Sequence, residues 1–124
     1  MCRGRPFESL RAGSVGLPLL SKRQGNNMHI GACRIQLHIP GSTSLKDKRA
    51  VVKSVTSRVR NKYNVSITEI ESHDLWQLAV LGITCVNVDP YHVQDVLNKI
   101  VSFIEESYLE AEISQCDIDM LEAL

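Results

Sequence analysis

The hydrophobic periods along the chain predict an α+β sandwich, a four-stranded antiparallel sheet with two helices on one face. Three observations carry this. Two stretches repeat apolar residues with the period of an amphipathic helix, each opened by a residue suited to cap it. Four others alternate, or run apolar, in the manner of strands. Their order is strand, helix, strand, strand, helix, strand, which is two equivalent halves with right-handed crossovers.

The first strand runs from His29 to Ile39. Gly31, Cys33, Ile35, Leu37 and Ile39 fall on one face, and Ala32, Arg34, Gln36 and His38 on the other. Period two marks a half-buried strand, and Pro40-Gly41 breaks it. Ser44 opens the first helix as its N-cap, with Asp47 three residues on as a shortened capping box. Leu45, Val52, Val55, Val59 and Tyr63 share one stripe at about 100° per residue. The helix ends between Lys62 and Asn64.

Val65 to Glu71 reads as the second strand, with Val65 and Ile67 inward, and Ser72-His73-Asp74 as a turn. Trp76 to Val88 is the third strand. It is apolar on both faces, with Leu78, Val80 and Val86 on one and Ala79, Leu81, Ile83 and Cys85 on the other. Such a strand belongs in the middle of a sheet. Asp89-Pro90 supply an N-cap and a first-turn proline, and Val93, Val96, Leu97, Ile100, Val101 and Ile104 trace the second helix. The last strand spans Glu110 to Leu121, with Cys116, Ile118 and Met120 inward. The whole is a ferredoxin-like βαββαβ sandwich, its first and third strands central.

A chain of 124 residues suits one domain. Residues 1–27 mix Gly, Ser, Pro and Arg without periodicity, and the apolar piece Val15 to Leu20 is too short for a signal-peptide core. They are expected to be a disordered leader or the product of a misassigned start, with residues 28–124 as the folded domain. No apolar run approaches the roughly 20 residues of a membrane helix. Cys2, Cys33, Cys85 and Cys116 form no C-x-x-C and have no histidine at ligand spacing. Neither metal nor cofactor is expected, and reduced thiols in the cytoplasm are.

Catalytic signatures are missing: there is no G-x-S-x-G, no H-E-x-x-H, and one glycine in Gly41-Ser42-Thr43-Ser44 where a phosphate loop needs two. His73 and Asp74 adjoin in a turn, while His29, His38 and His92 are scattered. A non-enzymatic protein is expected.

The charge pattern says more. Residues 1–27 carry five basic side chains and one acid, whereas residues 28–124 carry nine basic and thirteen acidic. Seven of those nine lie between Lys46 and Lys62. Lys46, Arg49, Lys53 and Arg60 form a flank beside the apolar stripe, and Lys48 sits at its border, where it is expected to snorkel. Cations in a first turn oppose the helix dipole at about 0.3–1 kcal/mol each. A helix built to hold an anion would accept that penalty. Lys46, Lys48, Arg49, Lys53 and Arg60 are therefore the expected phosphate-binding residues, spanning about 21 Å, with RNA or the ribosome as partner. No aromatic platform on the first strand supports base stacking, and Trp76 stands alone, as expected of core or hairpin packing. The alternative is a homodimer or protein contact through the open sheet face, where Val80, Gly82, Thr84 and Val86 would form an apolar patch. Val80, Thr84 and Val86 are its expected interface.

The run from Ile35 to Arg49, with Leu37, Pro40, Ser44, Leu45, Lys46, Lys48 and Arg49 in place, resembles the L-x-x-P-x-x-x-S-L-K-x-K-R opening of the YlxP-like family. Asn64-Val65-Ser66, and Asp74-Leu75-Trp76-Gln77 followed by Ala79, Leu81 and Gly82, resemble its other two signatures. The resemblance covers Met28 to about Leu121. It implies a ferredoxin-like fold with no transferable catalytic or ligand-binding residues. It also implies a ribosome- or RNA-associated role, since the family's genes sit among those for translation and ribosome maturation. Members often carry a basic residue after Trp-Gln; this chain has Leu78.

Overall fold

The computed structural model describes residues 3–4, 27–71, 75–108 and 110–124. In chain order the elements are β1 (Arg3–Gly4), β2 (Met28–His38), α1 (Leu45–Lys62), β3 (Ser66–Glu71), β4 (Leu78–Asn87), α2 (Pro90–Ser107) and β5 (Glu112–Ala123). The sheet order is β1-β5-β2-β4-β3. From β5 to β3 every pairing is antiparallel, so the fold is the ferredoxin-like sandwich, with β2 and β4 at its centre. The expectation that residues 1–27 stay outside the fold meets a difference at Arg3–Gly4, whose backbone pairs in parallel with Asp117 and Ile118 on β5. An edge strand leaves backbone donors and acceptors open to such an addition. The expected leader otherwise lies outside the described residues, apart from Asn27, which donates to Glu122 at 2.6 Å.

Each helix forms for local reasons and then buries one stripe. At α1, Ser44 Oγ accepts from the Asp47 N–H at 3.1 Å. Asp47 Oδ2 accepts from the Thr43 N–H at 3.0 Å and the Thr43 hydroxyl at 2.8 Å. The acid thus reaches one residue further back than a capping box requires. At α2, Asp89 accepts from the Tyr91 N–H, with Pro90 in the first turn. Val52, Val55 and Val59 of α1, with Val93, Leu97, Ile100 and Ile104 of α2, pack onto Ile35, Leu37, Ile67, Leu81 and Ile118 of the sheet. α1 lies over β3 and β4, and α2 over β2, β4 and β5.

Helix α2 approaches the sheet closely at Gly31. A Cβ there would overlap Val93 Cγ1 and stand 2.8 Å from Leu97 Cδ1. Only a residue without a side chain lets α2 settle this low.

Cys33 is a buried free thiol, 3.8 Å from Cys116 Sγ. Burial, with the Asp117 carboxylate adding, pushes the Cys33 thiol up to about 12. Cys85 is also free, but Cys116 is disulfide-bonded, which departs from the expectation of reduced thiols throughout. Among the described residues no helix is long and apolar enough to cross a membrane.

Candidate nucleic-acid interface

The loop that delivers α1 is clamped to the start of β4. The Ile39 N–H donates to Gln77 O at 2.8 Å. The Gln77 amide returns donors to Pro40 O at 3.1 Å and Ser42 O at 3.4 Å. Ser42 is buried and donates to Ser44 O at 3.1 Å. One glutamine therefore satisfies carbonyls that the turn would otherwise leave open, and it fixes where the first turn of α1 points. This links the Trp76-Gln77 signature to the Ser44-Leu45-Lys46 signature, which sequence reasoning left as separate features.

The cations beyond that turn divide by flank. Lys46, Arg49 and Lys53 are exposed, and among the described residues none is ion-paired. Arg60 is exposed but donates to Ile67 O on β3 at 2.7 Å, covering part of that edge strand. Arg58 and Lys62 turn the other way, toward α2. The Arg58 guanidinium lies 5.3 Å from the Tyr108 ring centroid and 5.7 Å from that of Phe103. The Lys62 ammonium is 4.6 Å from the Phe103 centroid.

Lys48 corrects the sequence reading. It does not snorkel; it is 3% exposed, with its ammonium 3.6 Å from Glu69 Oε2. The cause lies on β3. Glu69 shares inward parity with Ile67, and the bulge between Glu69 and Glu71 comes after it, setting Glu71 opposite Val80. An acid turned inward calls for a cation close by. That parity was readable in the sequence and was the signal that would have found the pair.

The open sheet face is corrected as well. Thr84 is exposed, donating to Gly31 O at 2.8 Å, and Val86 is 55% exposed, but Val80 is 2% exposed. Val80 lies opposite Glu71 on β3, and an Arg34–Glu71 ion pair joins β2 to β3 across β4 on that face. Ile70 leans over Gly82, where an added Cβ would meet its Cγ2 at 2.7 Å. The middle of the face is a basin of about 450 Å³ whose lining mixes Arg34, Thr68, Thr84 and Asp117 with Ala32 and Ile70. Exposed apolar side chains also gather at one end, where Val86 pairs with Ile30, Ile30 with Leu121, and Val88 is exposed nearby.

Trp76 is 51% exposed beside exposed Leu75, in place of the expected core or hairpin packing, and it precedes β4 in a turn. His38 Nδ1 stands 3.9 Å from a Glu112 oxygen, and His92 is exposed on α2. His73 and Asp74 lie outside the described residues.

These features have relatives. The family described as a protein of unknown function, DUF503, matches residues 30–118. The Bacillus subtilis (strain 168) protein named Uncharacterized protein YlxP is 40% identical over 83 residues, which is 67% of this chain and 89% of that protein. Among solved structures, the de novo designed protein Foldit4 is similar with TM-score 0.47 and 11% identity, over 75% of this chain and 94% of that one. A C-terminal segment of the alpha subunit of aIF2 from Pyrococcus abyssi is similar with TM-score 0.45 and 15% identity, over 86% of this chain and 56% of that one. The family match takes in both helices, the clamped loop and the central strands, and the chain belongs to the DUF503, YlxP-like family of proteins of unknown function.

Proposed function

We propose that the protein is a non-enzymatic cytoplasmic factor that associates with RNA or the ribosome, in translation or ribosome maturation. Lys46, Arg49 and Lys53 hold phosphate oxygens, and the spare donors of Arg60 extend the contact. The observation that carries this reading is the exposed flank of α1, where three cations stand at helical spacing without a carboxylate partner among the described residues. The clamp by Gln77 fixes the start of that helix, so the cations are presented on a rigid element. Lys48 leaves the set because Glu69 already holds it in the interior. The translational setting rests on the family resemblance.

Replacing Lys46, Arg49 and Lys53 together with Glu tests this. The variant should keep its circular dichroism spectrum and unfolding midpoint but lose salt-sensitive co-sedimentation with ribosomal subunits. Undiminished co-sedimentation would mean that another surface is used.

A second reading has its own observation, the exposed apolar end of the sheet at Val86 and Val88. It makes that end, with Thr84 beside it, a contact for a second copy of the chain. Light scattering on wild type and Val86→Lys decides it: a dimer that becomes a monomer supports this reading, and a wild-type monomer removes it.

A further inference from the structure

Between the C-terminal halves of α1 and α2 lies an open cleft of about 250 Å³, on the flank of α1 opposite Lys46 and Arg49. Its floor is aromatic, with Tyr63 and Phe103 edge to face, centroids 6.0 Å apart at 73°. Lys62 rests on that floor, its ammonium 4.6 Å from the Phe103 centroid and 5.7 Å from that of Tyr63. The opposite wall comes from one face of α2. Asn98 and Ser102 stand one turn apart there, next to Lys99, whose ammonium is steadied by Asp95 at 3.0 Å.

Two cations thus line the cleft with an amide and a hydroxyl donor, and two acids stand against them, Glu106 in the cleft and Asp95 on Lys99. The volume is below the roughly 300–1,000 Å³ of pockets that enclose drug-sized ligands. It suits one compact anion. A lysine already packed on aromatic rings also loses less side-chain freedom on binding than one in free solution.

We infer that this cleft is a separate site for a single phosphate group, with Lys62 and Lys99 supplying charge and Asn98 and Ser102 the directed hydrogen bonds. It stands apart from the proposed contact along Lys46, Arg49 and Lys53, and holds or fails independently of it.

The test is a titration of the full, nitrogen-15-labelled chain at constant ionic strength, once with inorganic phosphate and once with a short single-stranded RNA. The side-chain amide of Asn98 and the backbone amides of Ser102 and Phe103 are followed by NMR. Saturable displacement of those signals is expected. Lys62→Gln or Lys99→Gln should weaken it about tenfold, the scale of one charge-assisted hydrogen bond. The Lys46→Glu, Arg49→Glu, Lys53→Glu triple variant should leave the inorganic phosphate response unchanged. Displacement by RNA alone assigns the phosphate to a polynucleotide backbone, and displacement by inorganic phosphate extends the site to the free anion. No saturable response to either, or a response that survives both single substitutions, overturns the inference. Lys99 touches neither ring and is 63% exposed, so Lys99→Gln remains decisive if Lys62→Gln loosens the helix packing.

Discussion

Lys48 and Glu69 show how one inward-facing acid rearranges a basic surface. Their ion pair lies under α1, with Lys48 almost fully enclosed. Removing one partner of a buried pair leaves a charge that water cannot reach, at a cost of about 3–5 kcal/mol. Glu69 keeps some solvent contact, so Glu69→Ala should cost about 2–4 kcal/mol in urea unfolding. The Lys48→Met, Glu69→Leu double variant should return to within about 1 kcal/mol of wild type, because apolar replacement of both partners is often neutral. A double variant as unstable as Glu69→Ala would mean that the pair does more than fill space. The fold signal at this scale was simple to read; the site signal was readable only from a strand distant in the chain. An isolated Lys at the border of a helical stripe reads as snorkelling unless the parity of a distant strand is consulted. Val80 failed in the mirror-image way. It sits on the open face by alternation, yet it is covered where side chains of the neighbouring strands join across β4.

At the scale of elements, the ends of α1 and the seat of α2 carry the predictions. The Asp47 carboxyl is held below the usual carboxylate range, first by the Thr43 backbone N–H, then by the Thr43 hydroxyl, with Ser44 and the Lys46 ammonium adding. A carboxylate with a depressed folded pKa stabilises the fold above its unfolded value, about 3.9, and loses that contribution as pH falls through the lowered one. Hydrogen exchange of the first-turn amides of α1 should therefore accelerate as pH drops below about 4, beyond the intrinsic pH dependence of exchange. In Asp47→Asn that extra acceleration should vanish. Ser44→Ala removes the other half of the cap and should cost about 1 kcal/mol. For α2, Gly31→Ala places a methyl against Val93 and Leu97 and should cost about 1–3 kcal/mol as an overpacked core. Val93→Ala should recover part of that loss, which separates crowding from any preference of the strand backbone. Helix and strand positions were legible because each buries one face with its own period. The clamp at Gln77 was not, since its partners are backbone carbonyls and leave no trace in side-chain pattern.

For the molecule as a whole, topology was the most legible property, because the order of periods admits one antiparallel arrangement of two crossover units. Charge was legible in amount but not in use. The seven cations from Lys46 to Lys62 are distributed by the fold: three exposed on one flank, one on the β3 edge, one in the interior, and two over the rings of Tyr108 and Phe103. Residues 28–124 have an excess of four acids over bases, thirteen against nine, so within that stretch attraction for a polyanion is confined to the flank. Binding through that flank must therefore be weak and steep in salt. Three phosphates neutralised on single-stranded RNA give a slope of log affinity against log salt near −2, at about 0.7 per contact. Fluorescence anisotropy of a labelled single-stranded RNA across a salt series measures it. Lys53→Gln should flatten the slope by roughly 0.7 and weaken binding to unrelated sequences alike, because a phosphate contact carries no base information. A slope unchanged in Lys53→Gln, or affinity lost for one sequence only, would place recognition away from this flank and on the bases.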